Sequence, residues 1–368
     1  MFGGCYRNRR ILITGHTGFK GAWLGQWLHG LGARVSGFSD RGPDRHSLGA
    51  EQSKGIWCHD LRGDIGDRPA VRDALRRVRP ELVFHLAAQP LVRLSYRQPL
   101  ATLQTNVMGT ANVLDAVLHQ RGRVDVVVVT TDKCYENRHW HHGYRETDAL
   151  GGHDVYSASK AAAELVVQAW RRSFFQAAPA RGNVATARGG NVIGGGDYAA
   201  DRIVPDCVRA LRARQPIEVR NPAATRPWQH VLDCLSGYLV LGWRVATSEP
   251  GSAFADAFNF GPAQSSNRPV QELVEAVLES WPGRWKHVGE PGAPHEATLL
   301  HLATDKAARL LQWSPVWDFP TTVRKTMEWY RARHGRKPVD MVGFSAGQIA
   351  GYAAQATAQA QVWATPVK

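Results

Sequence analysis

The sequence predicts an α/β fold, a doubly wound parallel sheet followed by a smaller C-terminal α/β lobe, and three observations carry that reading. Short aliphatic runs alternate with longer helical patterns through the first half of the 368 residues. A loop with three spaced glycines, "TGHTGFKG", joins the first run to a helical pattern. After residue 190 the texture changes to loops rich in glycine and arginine.

The elements follow in order. "ILIT" (11–14), "ARVSGFS" (33–39), "ELVFHLA" (81–87), "VDVVVVT" (124–130) and "NVATARG" (183–189) are too short for helices and aliphatic enough to be strands buried on both faces. A further strand is possible before "RGDIGD". Between strands lie helical segments such as "NVMGTANVLDAVLHQ", where Val107, Ala111, Leu114 and Leu118 share one stripe. Repeated βα units wind right-handedly into a parallel sheet whose ligands bind at the C-terminal strand ends. Beyond residue 190, "GGNVIGGGDYAADRIVPD" and "RNPAATRPWQHV" read as loops shaped around a ligand, and "VQELVEAVLESW" and "TTVRKTMEWYRARH" as helices. Past "GRKPVD" one helix from Ser345 and then a loose tail are expected. A chain this long divides, here into residues 1–187 with a return segment near 228–262, a lobe over 188–335, and a helix and tail over 336–368.

Composition narrows the class. Hydrophobic content of 43% and charged content of 21% are those of a soluble globular protein. The formal charge of +13 favours an anionic partner, either nucleic acid or a phosphorylated metabolite. Basic runs such as "RRVRP" and "RRSFF" are short and sit at helix ends, so most of that charge reads as solvated surface. Five cysteines, scattered and odd in number, argue against a disulfide framework and a structural zinc site. His139, His141 and His142 lack zinc-ligand spacing and are assigned to a surface loop, so no metal is expected. No apolar stretch is long enough for a membrane span, and the expected compartment is the cytoplasm.

Gly15, Gly18 and Gly21 directly follow the first strand and open a helix. Positions without Cβ atoms permit a tight turn and let backbone approach a pyrophosphate, whose charge the helix N-terminus favours. In this strand–loop–helix context the loop predicts a Rossmann-type dinucleotide site. Asp40, at the end of the second strand, stands where an acid would hold the adenosine ribose diol. Arg41 follows and suits a 2′-phosphate instead, so NAD is favoured over NADP without excluding it. Asp64 either hydrogen-bonds the adenine or is a plain turn aspartate.

"HDVYSASKAAAELVVQAW" puts Tyr156 and Lys160 four apart on one helix face. An ammonium beside a phenol lowers its pKa from near 10, which brings phenolate within reach at neutral pH. Chance placement gives roughly 0.2 such pairs per chain, and the chain holds this one. At the end of the "VDVVVVT" strand, "TTDKCYEN" sets Thr131, Asp132 and Lys133 side by side at the ligand edge.

These residues carry a resemblance. "TGHTGFKG", "HLAAQP", "TNVMGT", "TTDKCYEN" and "YSASK" resemble the extended short-chain dehydrogenase/reductase superfamily. "GYRETDALGGHDVYSASK", "RGGNVIGGGDYAADRIVPD" and "NPAATRPWQHV" sharpen the likeness to its CDP-glucose 4,6-dehydratase family, from about residue 9 to 333. The tail after Pro338 resembles it weakly. The resemblance implies a redox-neutral dehydration of a CDP-sugar, with 4-oxidation, loss of water across C5 and C6, and return of the hydride to C6. It implies Gly15, Thr17, Gly18, Phe19, Gly21, Asp40, Asp64, Ala87, Tyr156 and Lys160 as contacts of the cofactor. Tyr156 would take the proton of the sugar 4-hydroxyl, Lys160 would hold the nicotinamide ribose, and Thr131 would bond the 4-oxygen. Asp132, its pKa raised by burial, is the candidate acid for the leaving 6-hydroxyl. Lys133 stands where related dehydratases carry glutamate, and is either the C5 base or a cation stabilising the enolate. Arg202 and Arg226 suit bidentate phosphate contacts, and Asn191 suits a single one. His295 matches the family without an assigned role, and Trp228 is expected to pack rather than stack.

Two rivals stay open on the sequence. A sister epimerase or reductase would lack the acid–base pair after the threonine. A basic dinucleotide-sensing or nucleic-acid-binding protein would not need Tyr156 and Lys160. The partners expected are the nucleotide sugar and copies of the chain itself, paired as a dimer or tetramer through the helices starting near Asn106 and Tyr156, with no nucleic acid and no membrane.

Overall fold

A computed structural model describes residues 1–52, 55–289 and 300–365. Seven strands form one sheet: β1 (Arg10–Thr14), β2 (Arg34–Ser39), β3 (His59–Arg62), β4 (Leu82–His85), β5 (Asp125–Thr131), β6 (Val184–Gly189) and β7 (Ala257–Phe260). Their order across the sheet is β7-β6-β5-β4-β1-β2-β3. Every pairing is parallel, with Thr131 of β5 opposite Gly189 of β6. The order reverses at β1, between β4 and β2, and a crevice for ligands opens there at the strand ends. Val126, Val127 and Val128 alternate faces yet are all buried, so helices cover both sides as the aliphatic run predicts.

The helices that matter for the site are α1 (Phe19–Gly30), α2 (Arg68–Val78), α3 (Gly109–Leu118), α4 (Val155–Trp170), α5 (Ile203–Arg212), α6 (Val231–Thr247), α7 (Val270–Ser280), α8 (Phe319–Arg333) and α9 (Met341–Ala358). On one face α2, α3 and α4 pack side by side around Val71, Leu75, Val113, Leu114 and Val167. On the other, α1 and α6 cover the sheet and α9 packs on α1. The chain therefore leaves the sheet after β6 and returns through α6 and β7, while α5 and α7 stand beside the short parallel pair Ile217–Val219 and Trp285–His287. The expected stripe is not the buried face of α3: Val107 falls in a π-turn, Gln104–Met108, that widens the helix where it passes α4, and Val113, Leu114, Ala116 and Val117 are buried, with only Leu114 shared.

The C-terminal segment differs from its expected form. The helix begins at Met341 rather than Ser345, because Asp340 Oδ1 accepts the amides of Val342 and Gly343 at 3.0 Å each. The tail is not loose. Trp363 is wholly buried, stacks on Phe2 at 5.1 Å and lies 6.0 Å from Tyr352. One indole supplies the apolar area that the Ala- and Gln-rich composition concealed.

A buried carboxyl ties this segment to the body. Asp233 Oδ1 on α6 accepts Val316 N at 2.6 Å and the Tyr352 hydroxyl at 2.8 Å. Burial pushes Asp233 up to about 7, against the pull of those hydrogen bonds. Its folded pKa thus exceeds the unfolded value near 3.9, so its stabilising share is complete at low pH and is lost as pH rises through about 7. The linkage is on the order of 4 kcal/mol at most. Thermal unfolding from pH 5 to 9 is expected to show the midpoint falling through neutrality, and Asp233→Asn is expected to flatten that fall. An unchanged profile in the variant would assign the pH dependence elsewhere.

Candidate active site

The glycine loop forms a cradle. Gly15 adopts φ +74, and a Cβ there would lie 2.8 Å from Ala87 N, so only glycine lets β1 turn beneath the end of β4. A Cβ on Gly21 would run into the Gly15 carbonyl, so α1 can start this close to the strand only without one. Gly18 N donates to Gly15 O at 3.1 Å, and Gly18 is the N-cap of α1. The first-turn amides of a helix have no partner within it, and at the end of β1 such a terminus can receive a dinucleotide pyrophosphate. The residues present therefore fit a dinucleotide. Thr17 N reaches Ser39 Oγ at 3.5 Å, which closes the loop on β2. Asp40 is exposed and pairs with Arg41 at 3.2 Å. Asp64 Oδ1 accepts Gly66 N at 2.8 Å, so one of its oxygens serves the turn.

Thr131, Asp132 and Lys133 leave the end of β5 in a 3-10 turn. Thr131 Oγ1 donates to Asp132 Oδ1 at 2.9 Å and accepts Lys133 N at 3.4 Å. Asp132 is 2% exposed, and its Oδ2 has no hydrogen-bond partner among the described residues. Burial raises its pKa, while the charge of Lys133 works in the other direction. The carboxyl is thereby held toward its protonated form with one oxygen unspent.

α4 carries Tyr156 and Lys160 to the same place. Asp154 caps its start by accepting Ser157 N at 2.9 Å. Both Tyr156 and Lys160 are 7% exposed, and Thr131 is the side chain that acts most on the phenol after burial. The charge balance corrects the expectation drawn from spacing. Burial pushes the phenol up to about 12, and the groups that act on it next are Thr131, Asp132, Arg202 and Asp154, not Lys160. Lys160 is itself pushed down to about 8, by burial first and then by Lys20. A buried phenol needs a cation close enough to outweigh desolvation, and four residues of helix do not guarantee one.

Residues beyond β6 act on the same side chains. The charge of Arg226 acts on Asp132, and that of Arg202 on Tyr156. Arg202 NH1 also binds Asp197 Oδ2 at 2.6 Å. Asn191 stands on the loop behind β6, where its carbonyl accepts Gln229 N at 3.1 Å. Trp228 is 3% exposed and spends its indole N–H on Arg268 O at 2.9 Å, so it packs as expected. His295 lies outside the described residues.

Three residues of the site escaped the reading of motifs. Lys20, on the first turn of α1, donates to Tyr238 OH at 3.4 Å, and its charge acts on both Lys160 and Asp132. Ser95 Oγ accepts the Tyr156 amide at 3.2 Å. Asn106, in the π-turn, donates to Ser159 Oγ at 2.8 Å between Tyr156 and Lys160, and accepts Gln89 N at 2.8 Å. The signals for Asn106 and Lys20 were the motifs "TNVMGT" and "TGHTGFKG" themselves; Ser95 had only position.

Known proteins fit this arrangement. A family model described as GDP-mannose 4,6 dehydratase matches residues 12–326. CDP-glucose 4,6-dehydratase of Salmonella typhimurium is 44% identical over 333 residues, covering 89% of this chain and 92% of the relative. A dTDP-glucose 4,6-dehydratase of Streptomyces antibioticus is 30% identical over 74% of this chain and 76% of its own. The solved structure of DesIV, a dTDP-glucose 4,6-dehydratase of Streptomyces venezuelae with NAD and TYD bound, superposes with a TM-score of 0.74 at 24% identity, over 88% of this chain and 97% of its own. The match over residues 12–326 and the 44% identity over 89% of the chain establish that the chain belongs to the GDP-mannose 4,6 dehydratase family.

Proposed function

We propose that the protein is an NAD-dependent hydro-lyase that converts CDP-glucose to CDP-4-keto-6-deoxyglucose in deoxysugar synthesis. The observation that carries the reading is the buried Asp132, flanked by half-buried Thr131 and Lys133, beside Tyr156. It gives an elimination its acid and a redox step its base within one pocket, and the 44% identical relative bears that name. Gly15, Thr17, Gly18, Phe19, Gly21 and Ala87 would cradle the cofactor, with Asp40 on its ribose and Asp64 toward its adenine. When bound, NAD supplies the acceptor and then the donor of the sugar's hydride. Tyr156 takes the proton of the 4-hydroxyl, and Thr131 pins that oxygen. The 4-ketone acidifies C5–H, and Asp132 gives its proton to the departing 6-hydroxyl as water leaves. Lys133 either takes the C5 proton or holds the enolate by charge while Asp132, left as a carboxylate, or a water takes it, and a proton goes back to C5 when the hydride returns to C6. Lys160 orients the ribose beside the phenol, and Arg202, Arg226 and Asn191, with His295, serve the nucleotide diphosphate from the lobe 188–335.

Lys133→Met is expected to retain cofactor and lose product formation, read as the alkali-induced absorbance of the keto sugar. Undiminished turnover would remove Lys133 from the chemistry. The same assay over a panel of nucleotide-glucoses tests the substrate, and a response to dTDP-glucose alone would overturn the cytidine assignment.

Tyr96, Leu100, Met108, Leu165 and Phe174 form exposed apolar positions along α4 and the helical turns before α3, with Leu100 at 79% exposure. That face supports a homodimer with a second copy, itself able to pair into a tetramer. Sedimentation of Leu165→Glu is expected to show a lighter species than the parent; an unchanged mass would move the interface. Among the described residues no helix is long and apolar enough to cross a membrane, which agrees with a proposed cytoplasmic location.

A further inference from the structure

A second pocket lies in the C-terminal lobe and shares no residue with the site above. It is a cleft of about 680 Å³ lined by Arg212, Arg214, Arg284, His334 and Trp281, with the Pro282–Gly283 turn between them. That volume suits a nucleotide-sized molecule. No acidic residue lines it. Among the described residues, none of the three arginines has a carboxylate partner, whereas neighbouring Arg209 and Arg333 pair with Asp206 and Glu51.

Helix capping does not account for these cations. The cleft sits at the C-terminal ends of α5 and α7, where arginine often binds orphan carbonyls. Here the backbone has closed the last turn of α5 already. Ala213 N donates to Arg209 O at 3.1 Å, Arg214 N to Leu211 O at 3.1 Å and Gln215 N to Ala210 O at 2.9 Å. Trp281 N closes α7 on Val277 O at 3.0 Å. Arg214 also occupies the left-handed position of that cap, φ +56, where glycine is the easy residue. The chain thus keeps a long cationic side chain at a backbone position that disfavours one. His334 adds a neutral wall. Burial and then the charges of Arg212, His46 and Arg333 push it down to about 4, and its Nε2 is engaged with Tyr198 OH at 2.8 Å.

Three unpaired guanidinia around one concavity repel each other until an anion enters, and their planar forks match phosphate oxygens two at a time. The half-buried indole of Trp281 packs on the apolar core and lines the cleft beside the arginines, within reach of a base whose phosphates they hold. We infer that this cleft is a second ligand site, which takes the diphosphate of a nucleoside diphosphate on Arg212, Arg214 and Arg284 and its base on Trp281. The inference does not depend on the reaction at Tyr156.

Calorimetric titration of the holoenzyme with CDP tests it. Two classes of site per protomer are expected in the parent. The double variant Arg214→Gln/Arg284→Gln is expected to weaken one class by about a hundredfold, leaving the other class and turnover unchanged. Both side chains are exposed, so folding is not at risk. Trp281→Leu is expected to weaken CDP at that class by about tenfold while inorganic pyrophosphate binds as before. A single class in the parent, or two classes untouched by the arginine double variant, would overturn the site. Equal loss of CDP and pyrophosphate in Trp281→Leu would overturn the stacking of the base.

Discussion

Tyr156→Phe is expected to cut turnover by a hundred- to ten-thousand-fold while the protein stays folded and keeps its cofactor. The substitution removes one oxygen from a side chain that is 7% exposed and fills the same volume, so α4 keeps its place. The Tyr156 amide still meets Ser95 Oγ, and Asn106 still braces Ser159. Thr131 keeps its bond to Asp132 Oδ1. What is lost is the group proposed to receive the 4-hydroxyl proton, and on that proposal the sugar cannot become a ketone without it. Every later step needs the C5 acidity that the ketone confers, so the reduced cofactor should not form on mixing with substrate. Rapid-mixing absorbance of the cofactor reads that step apart from product release. Turnover within threefold of the parent would exclude Tyr156 as the proton acceptor.

The pH profile tests Lys160 instead. Burial holds the phenol high, near 12, so its ionisation depends on positive charge gathered around the reacting oxygen. Arg202 supplies that charge, whereas Lys160, pushed down to about 8, is the cation proposed to hold the nicotinamide ribose and loses its charge above pH 8. The alkaline limb of kcat/KM is therefore expected to fall near pH 8. Lys20→Met removes the charge that presses on Lys160 after burial has acted, and should move the limb upward.

Thr131, Asp132 and Lys133 were legible because one rule suffices: a both-faces-buried run ends at the ligand edge of a parallel sheet. Tyr156 and Lys160 were legible because helical spacing is local. Their mutual charge effect was not, since desolvation depends on what packs over the pair, and that comes from Thr131, Arg202 and the neighbouring elements. Ser95, Asn106 and Lys20 belong to three separate elements and meet only when the sheet assembles. The tail misled for the opposite reason, as one buried Trp363 outweighs a dozen small or polar neighbours. Where composition averages over residues, a single large side chain is invisible; where folding brings distant residues together, spacing says nothing.

The support beneath the site gives the largest expected loss of stability. Glu164, one turn beyond Lys160 on α4, meets Arg188 of β6 at 2.7 Å with both side chains almost fully buried. Glu164 also accepts the hydroxyls of Thr130 and Thr186, and Arg188 NH1 donates to Tyr135 OH at 2.8 Å. Tyr135 in turn donates to Asn259 of β7 at 2.7 Å. One ion pair thus joins α4, β5, β6 and β7 directly behind Thr131. Burial alone would raise Glu164, and Arg188 overrides it to hold the carboxylate below its usual range. Arg188→Met strands that charge and is expected to cost about 3–5 kcal/mol, read as a lower urea midpoint. Replacing both partners, Glu164→Leu with Arg188→Met, removes the stranded charge and should recover much of the loss. The double variant should nonetheless differ from the parent in catalysis, because Glu164 supports the charge on Lys160. Without it the alkaline limb is expected to shift below pH 8 even where stability has returned. If the double variant is as unstable as Arg188→Met alone, packing rather than charge holds this junction together.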